Sequence, residues 1–161
     1  MTKERLYIFD TTLRDGAQTQ GVDFSIDDKE KISSTLDALG VDYVEGGWPG
    51  ANLTDTEFFN KDHNFKSSKL TAFGMTKKSE HSAKNDPMLS SLINSKCSAI
   101  CLFGKSWDFQ VKVALGITND QNLKNISESA KHIVDSGKEF MFDAEHFFDG
   151  YKANPEYAIS C

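Results

Sequence analysis

Five short apolar runs recur along the chain: Leu6–Phe9, Val41–Val44, Lys69–Phe73, Ala99–Phe103 and Glu139–Asp143. Each is followed by a polar or glycine-rich stretch and, further on, by an amphipathic interval. Strand-like runs spaced by helix-like intervals, at roughly 25 to 40 residues per unit, demand a mainly parallel sheet with helical crossovers. Two folds satisfy that demand, a (β/α)8 barrel and an open doubly wound sheet. A barrel places its chemistry on the loops after many strands, and here all five runs end in such loops, which favours the barrel. A complete barrel needs eight strands and roughly 250 residues, whereas the sequence has 161. The expected fold class is therefore α/β, a partial (β/α)8 TIM barrel of about the first five βα units. Residues 1–161 then form the N-terminal part of a barrel catalytic domain, from a longer enzyme or a truncated product. Open edges at the first and last strands expose apolar surface, so such a chain is expected to be sticky, weakly stable or completed by another chain.

Local signals place the helices. Ser25 with Asp28 reads as an acidic variant of the capping box, Ile32, Leu36 and Leu39 follow at helical spacing, and Gly40 terminates. Lys29 falls on the same face, its stem joining the apolar stripe. Thr54 is a candidate cap for the next interval, with Glu57 three residues on. Pro87 suits a first helical turn leading to Leu89 and Leu92. Trp107, Val111, Ala114 and Leu115 suit a short amphipathic helix. Thr118 and Gln121 form another capping box, whose helix ends at Gly137, and Asn154-Pro155 opens a last helix.

A net charge of −6 argues against a nucleic-acid partner. The sequence has no long apolar run and no leader pattern, so no membrane partner is expected and the expected compartment is the cytoplasm. Lys66, Lys69, Lys77, Lys78 and Lys84 read as a solvated face, with a landing site for a phosphorylated cofactor as the rarer alternative. Cys97, Cys101 and Cys161 form no CxxC pair, and the first two are expected as buried thiols.

The chemistry concentrates in Phe9-Asp10-Thr11-Thr12-Leu13-Arg14-Asp15-Gly16-Ala17-Gln18. Asp10 and Asp15 offer oxygens to a hard metal, and Arg14 offers a planar fork to a carboxylate or enolate oxygen. The same residues also make turns, and Arg14 with Asp15 also fits a surface pair. Asp10, Glu45, Asp143, Glu145 and His146 follow strand ends, so a barrel would bring them to the rim that holds Asp15. Hydrogen bonding among loops is the alternative for Glu145 and, more so, for His146. Trp48 reads as loop packing.

Leu13-Arg14-Asp15-Gly16-Ala17-Gln18, then ten residues and Lys29, resembles the signature of the alpha-isopropylmalate and homocitrate synthases. Tyr43-Val44-Glu45-Gly46-Gly47-Trp48-Pro49-Gly50-Ala51-Asn52 and the stretch from Phe142 to Pro155 are more similar to the (R)-citramalate synthase branch. The resemblance covers essentially the whole chain. It implies a pyruvate carboxyltransferase-like barrel that condenses acetyl-CoA with a 2-keto acid, pyruvate in this branch, within branched-chain amino-acid biosynthesis. It also implies a divalent metal (magnesium, manganese or zinc) and a homodimer at full length. Carried over by motif, Asp15 is the metal ligand, Arg14 contacts the keto acid and stabilises its oxygens, and Glu145 is an active-site glutamate. Gln18 and Glu45 join Arg14 in substrate binding. Ala17 stands where isopropylmalate synthases often have Glu, which weakens, without removing, the case for 2-isopropylmalate synthesis from 2-oxoisovalerate. A related metal-dependent lyase that cleaves a hydroxyacyl thioester stays open, as does an inactive partial barrel. The sequence contains no His-x-His, the family's second metal-binding element. The resemblance thus places the remaining ligands and the base outside this chain.

Overall fold

A computed structural model describes residues 4–161. Five strands, β1 (Phe9–Asp10), β2 (Tyr43–Gly47), β3 (Lys69–Met75), β4 (Ala99–Lys105) and β5 (Glu139–Glu145), form one sheet in the order β1-β2-β3-β4-β5. Chain-order neighbours with helices in every crossover define a partial (β/α)8 barrel of about five βα units, as the apolar rhythm predicts. β1 pairs parallel with β2 through Phe9 with Tyr43 and Asp10 with Val44. β2 pairs parallel with β3 from Tyr43 with Lys69 to Glu45 with Thr71, then slips at Gly46 so that Gly47 faces Ala72. The chain divides into two compact units, one holding the N-terminal residues through Phe73 with Asn94–Ala99, the other holding Gly74–Ile93 and Ile100–Cys161.

In the first unit, α1 (Ile26–Leu39) and α2 (Leu53–Asn60) follow β1 and β2. The Ser25–Asp28 capping box forms, and Gly40 adopts the left-handed C-cap. α2 is capped by Asn52, whose side chain accepts from the Asp55 N–H at 2.8 Å, two residues before the expected Thr54. Asn outcompetes because its carbonyl reaches the third N–H while Thr54 lies inside the turn. The core of this unit is Leu13, Val44, Phe58, Phe59, Leu70, Ala72 and Ala99. Phe58 and Phe59 meet edge to face with centroids 5.5 Å apart. They fill the space above Gly46, where a Cβ would lie 2.7 Å from Phe58.

The first strand is shorter than its apolar run. Only Phe9 and Asp10 are strand, and Leu6, Tyr7 and Ile8 are exposed, Leu6 to 85%. An apolar run this short of cover differs from the expectation of a full first strand, because nothing packs over Leu6, Tyr7 and Ile8 enough to bury them. The segment is tied down by its backbone, with Asp42 accepting from the Ile8 N–H at 2.9 Å and pairing with Arg5.

In the second unit, α3 (Pro87–Asn94) precedes β4, and α5 (Asn119–Asp135) precedes β5. A short α4 (Asp108–Gln110) runs into a π turn at Val111–Leu115, which replaces the expected short amphipathic helix. The Thr118–Gln121 capping box opens α5. α6 (Phe147–Ala153) and α7 (Pro155–Ser160) follow β5, with Asn154 capping α7. Leu89, Leu92, Ile100, Leu102, Val111, Ile126 and Ile133 form this core. Cys97 and Cys101 are buried free thiols. No helix among the described residues is long and apolar enough to cross a membrane.

Candidate active site

The loop after β1 is wound tightly on one acceptor. The Thr11 carbonyl accepts from the N–H groups of Arg14, Asp15 and Gly16 at 3.1, 2.8 and 3.2 Å. Asp10 serves the same turn, taking the Thr12 N–H at 3.0 Å and the Thr12 hydroxyl at 3.1 Å. Its carboxylate is thus a turn-former rather than part of the cluster around Arg14. Leu13 is buried and anchors the loop, so the next side chain, Arg14, swings toward the end of β2.

Arg14 is held from three sides. Its Nε donates to Glu45 Oε2 at 2.7 Å, its Nη1 donates to Asp15 Oδ1 at 3.2 Å, and its guanidinium lies 3.9 Å above the Phe73 ring. Glu45 is 1% exposed, at the last regular position of β2 before the bulge. A buried carboxylate needs a charge partner, and the planar fork supplies one. Stacking on an aromatic face adds a cation–π attraction and fixes the plane of the fork. Trp48 meets Phe73 edge-on at 5.9 Å and 87°, bracing that ring, in accord with its reading as loop packing. Five guanidinium N–H groups less these two hydrogen bonds leave three for an incoming oxyanion. Phe73 is not legible in the sequence as a site residue, because an aromatic two positions before a strand end reads as core.

The Asp15 side chain is 61% exposed, with its carboxylate open to solvent beside Arg14. Among the described residues no group of three His, Cys, Asp or Glu side chains converges into a metal site. Asp15 fits as one oxygen ligand, and the described residues do not complete a set. Gln18 closes the one-turn 3-10 helix Gly16–Gln18 and is exposed.

Glu145 lies in the second unit, at the end of β5. Its carboxylate pairs with Lys105 at the end of β4, a partner hidden in the sequence because Lys105 follows an apolar strand like any solvated lysine. The Ser106 N–H and hydroxyl both donate to the Glu145 carbonyl, at 3.1 and 2.8 Å, so main chain and side chain are fixed together. His146 is the one non-glycine residue with positive φ among the described residues. Its Nε2 is 4.0 Å from Glu145 Oε1, beyond hydrogen-bond range. Asp143 is exposed. The lysine group is not one solvated face: Lys77 is buried, donating to the His81 carbonyl and to Asn125 Oδ1, both at 3.0 Å, and pairing with Glu128.

An arginine pinned between two carboxylates in the loop after β1, on a partial (β/α)8 frame, has the layout of a barrel whose site lies on the loops after its strands. The HMGL-like family model matches residues 5–158, and the chain belongs to that family. Within it, the chain falls with the (R)-citramalate synthase branch. It is 50% identical over 158 residues to the (R)-citramalate synthase of Aquifex aeolicus, covering 97% of this chain and 30% of the relative. The Streptomyces coelicolor (R)-citramalate synthase is 44% identical over 160 residues, covering 98% and 30%. A 2-isopropylmalate synthase of Caldanaerobacter subterraneus is 35% identical over 146 residues, covering 90% and 36%. The chain thus spans about 30% of the length of the (R)-citramalate synthases it matches. Among solved structures, the Bacillus subtilis HMG-CoA lyase superposes with a TM-score of 0.69 at 14% identity, covering 87% of this chain and 46% of that one. That likeness is one of fold.

Proposed function

We propose that this chain supplies the keto-acid-gripping part of an acetyl-CoA-condensing enzyme that makes (R)-citramalate from pyruvate. The observation that carries the reading is the Arg14 guanidinium, locked by Glu45 and stacked on Phe73 with three N–H groups to spare. It sits in a chain half identical to an (R)-citramalate synthase. Arg14 binds the pyruvate carboxylate and stays close to the keto oxygen. As the methyl carbon of the acetyl group, deprotonated by a base outside the described residues, attacks the keto carbon, charge grows on that oxygen. A donor already fixed in place stabilises it without reorganisation. Thioester hydrolysis then releases citramalate and free CoA.

Asp15 holds one position on a divalent metal, which when bound polarises the keto group. Glu45 keeps the guanidinium plane fixed, and Gln18, exposed at the end of the same loop, joins Arg14 in substrate binding. Glu145, held by Lys105 in the second unit, is an active-site glutamate of the full-length enzyme. The full-length protein is a homodimer in this reading, and the compartment is the cytoplasm.

The test is a chimera in which residues 1–161 replace the matching segment of the Aquifex aeolicus relative. Condensation is followed by thiol release from acetyl-CoA with pyruvate, 2-oxoisovalerate or 2-oxoglutarate. Pyruvate is expected to turn over at least about tenfold faster in kcat/KM than the others, and the isolated 161-residue chain is expected to show no turnover. A preference for 2-oxoisovalerate, or turnover by the isolated chain, overturns the reading.

A further inference from the structure

Lys29 is 3% exposed, and its ammonium is hydrogen-bonded to three different parts of the first unit. It donates to the Leu13 carbonyl at 3.0 Å, to the Gly46 carbonyl at 2.8 Å and to Asp55 Oδ1. An ammonium has three protons, so every one is used. Leu13 immediately precedes Arg14, and Gly46 immediately follows Glu45. One buried cation therefore ties together the neighbours of both members of the Arg14–Glu45 pair.

Asp55 is fixed in turn. Its second oxygen accepts from the Trp48 N–H at 2.8 Å and from Asn52 Nδ2 at 2.9 Å. Gly47, at φ 140°, makes room for it, since a Cβ there would fall 2.4 Å from the carboxyl carbon. The bulge at Gly46 turns that carbonyl out of the β2–β3 ladder, which frees it to accept from Lys29.

Stability alone does not account for this arrangement. An apolar pair of similar volume stabilises a core as well as a buried ion pair, or better. What an apolar pair lacks is the geometric link between the loop after β1 and the end of β2.

We infer that Lys29 and Asp55 are positioning residues that set the register of Arg14 against Glu45, and through it the grip on the keto acid. The inference rests on the reading of Arg14 as the acid-binding group. Its physical half is measurable without any activity.

The experiment compares the 161-residue chain with Lys29→Met and with the double variant Lys29→Met/Asp55→Leu, which removes both buried charges. Proton exchange at Arg14 Nε, followed by nitrogen-15 NMR, reports the bond to Glu45, and thermal melting reports the fold. The double variant is expected to regain most of the melting temperature lost in Lys29→Met. Its Arg14 Nε proton still exchanges at least about tenfold faster than in the original chain. Recovery of both the melting temperature and the slow exchange overturns the inference. If neither variant folds, Asp55→Asn decides. It sets an amide donor against either the Lys29 ammonium or the Trp48 N–H, and unchanged exchange at Arg14 then refutes the role.

In the chimera, the double variant is expected to lower kcat roughly 100-fold, the scale of a 1 Å misplacement, with KM for acetyl-CoA unchanged. A chimera that turns over no keto acid refutes the functional reading, while the exchange measurement still decides the clamp.

Discussion

Arg14 does work that no other cation reproduces at this position. Its fork bonds Glu45 and Asp15 while its plane lies on Phe73. A lysine has neither plane nor fork. Arg14→Lys in the chimera is expected to lower kcat/KM for pyruvate about 100-fold or more, with the melting temperature changed far less; equal kinetics would show that a point charge suffices. Phe73→Leu keeps the apolar volume but removes the ring face, and is expected to raise KM for pyruvate a few-fold, measured in the same assay. That Arg14, Asp15 and Glu45 come together was legible from their places after the first two strands, although the same residue types also make turns. Phe73 and Lys105 were not. Each has an ordinary reading, as core or as solvated surface, that only the neighbour across the sheet overrules. Lys29 was legible as part of a helix face but not as a buried cation, since its acceptors lie 16 and 17 residues away in sequence at Leu13 and Gly46.

At the scale of elements, end signals explain most of what the sequence revealed. Capping boxes at Ser25 and Thr118 and left-handed glycines at 40 and 137 stand where expected. The extent of β1 was not legible, because apolar composition cannot report whether a covering layer is present. One carboxylate joins α1 to the segment before β3: Asp37 accepts from the backbone N–H groups of Lys66, Ser67 and Ser68. Burial pushes its carboxyl up, but the three donors outweigh this and hold it below its ordinary value of 3.8. A depressed carboxyl contributes stability fully above its unfolded value and loses it as pH falls through the lower folded value. Asp37→Asn is therefore expected to lower the melting temperature at neutral pH and to lose that effect as acid protonates the carboxylate, a convergence that melting curves across pH would reveal. Gly46→Ala is expected to destabilise the chain by about 1–3 kcal/mol in chemical denaturation, because the new methyl meets Phe58, Phe59 and Leu70 at 2.7 to 3.0 Å.

For the whole molecule, strand order in chain order is what five βα units require, and β1 and β5 stand at the ends of that order. The exposure of Leu6, Tyr7 and Ile8 agrees with the expectation of apolar surface beside the first strand. In isolation the chain is expected to bind a hydrophobic dye and to associate as its concentration rises. Leu6→Ser with Ile8→Thr is expected to reduce both, read by dye fluorescence and sedimentation. Unchanged dye binding would place the sticky surface elsewhere. Which strands were present and that the first would lie beside bare apolar surface was legible from the sequence, but which residues form that surface was not.

The aromatic pair behind Gly46 has a consequence for how such a protein adapts. Phe58 and Phe59 line the backbone at Gly46, next to Glu45, so the packing that stabilises this unit also borders the Arg14–Glu45 pair. A campaign that selected only for survival at high temperature, by repacking those rings, would shift the seat of that ion pair without touching a polar atom.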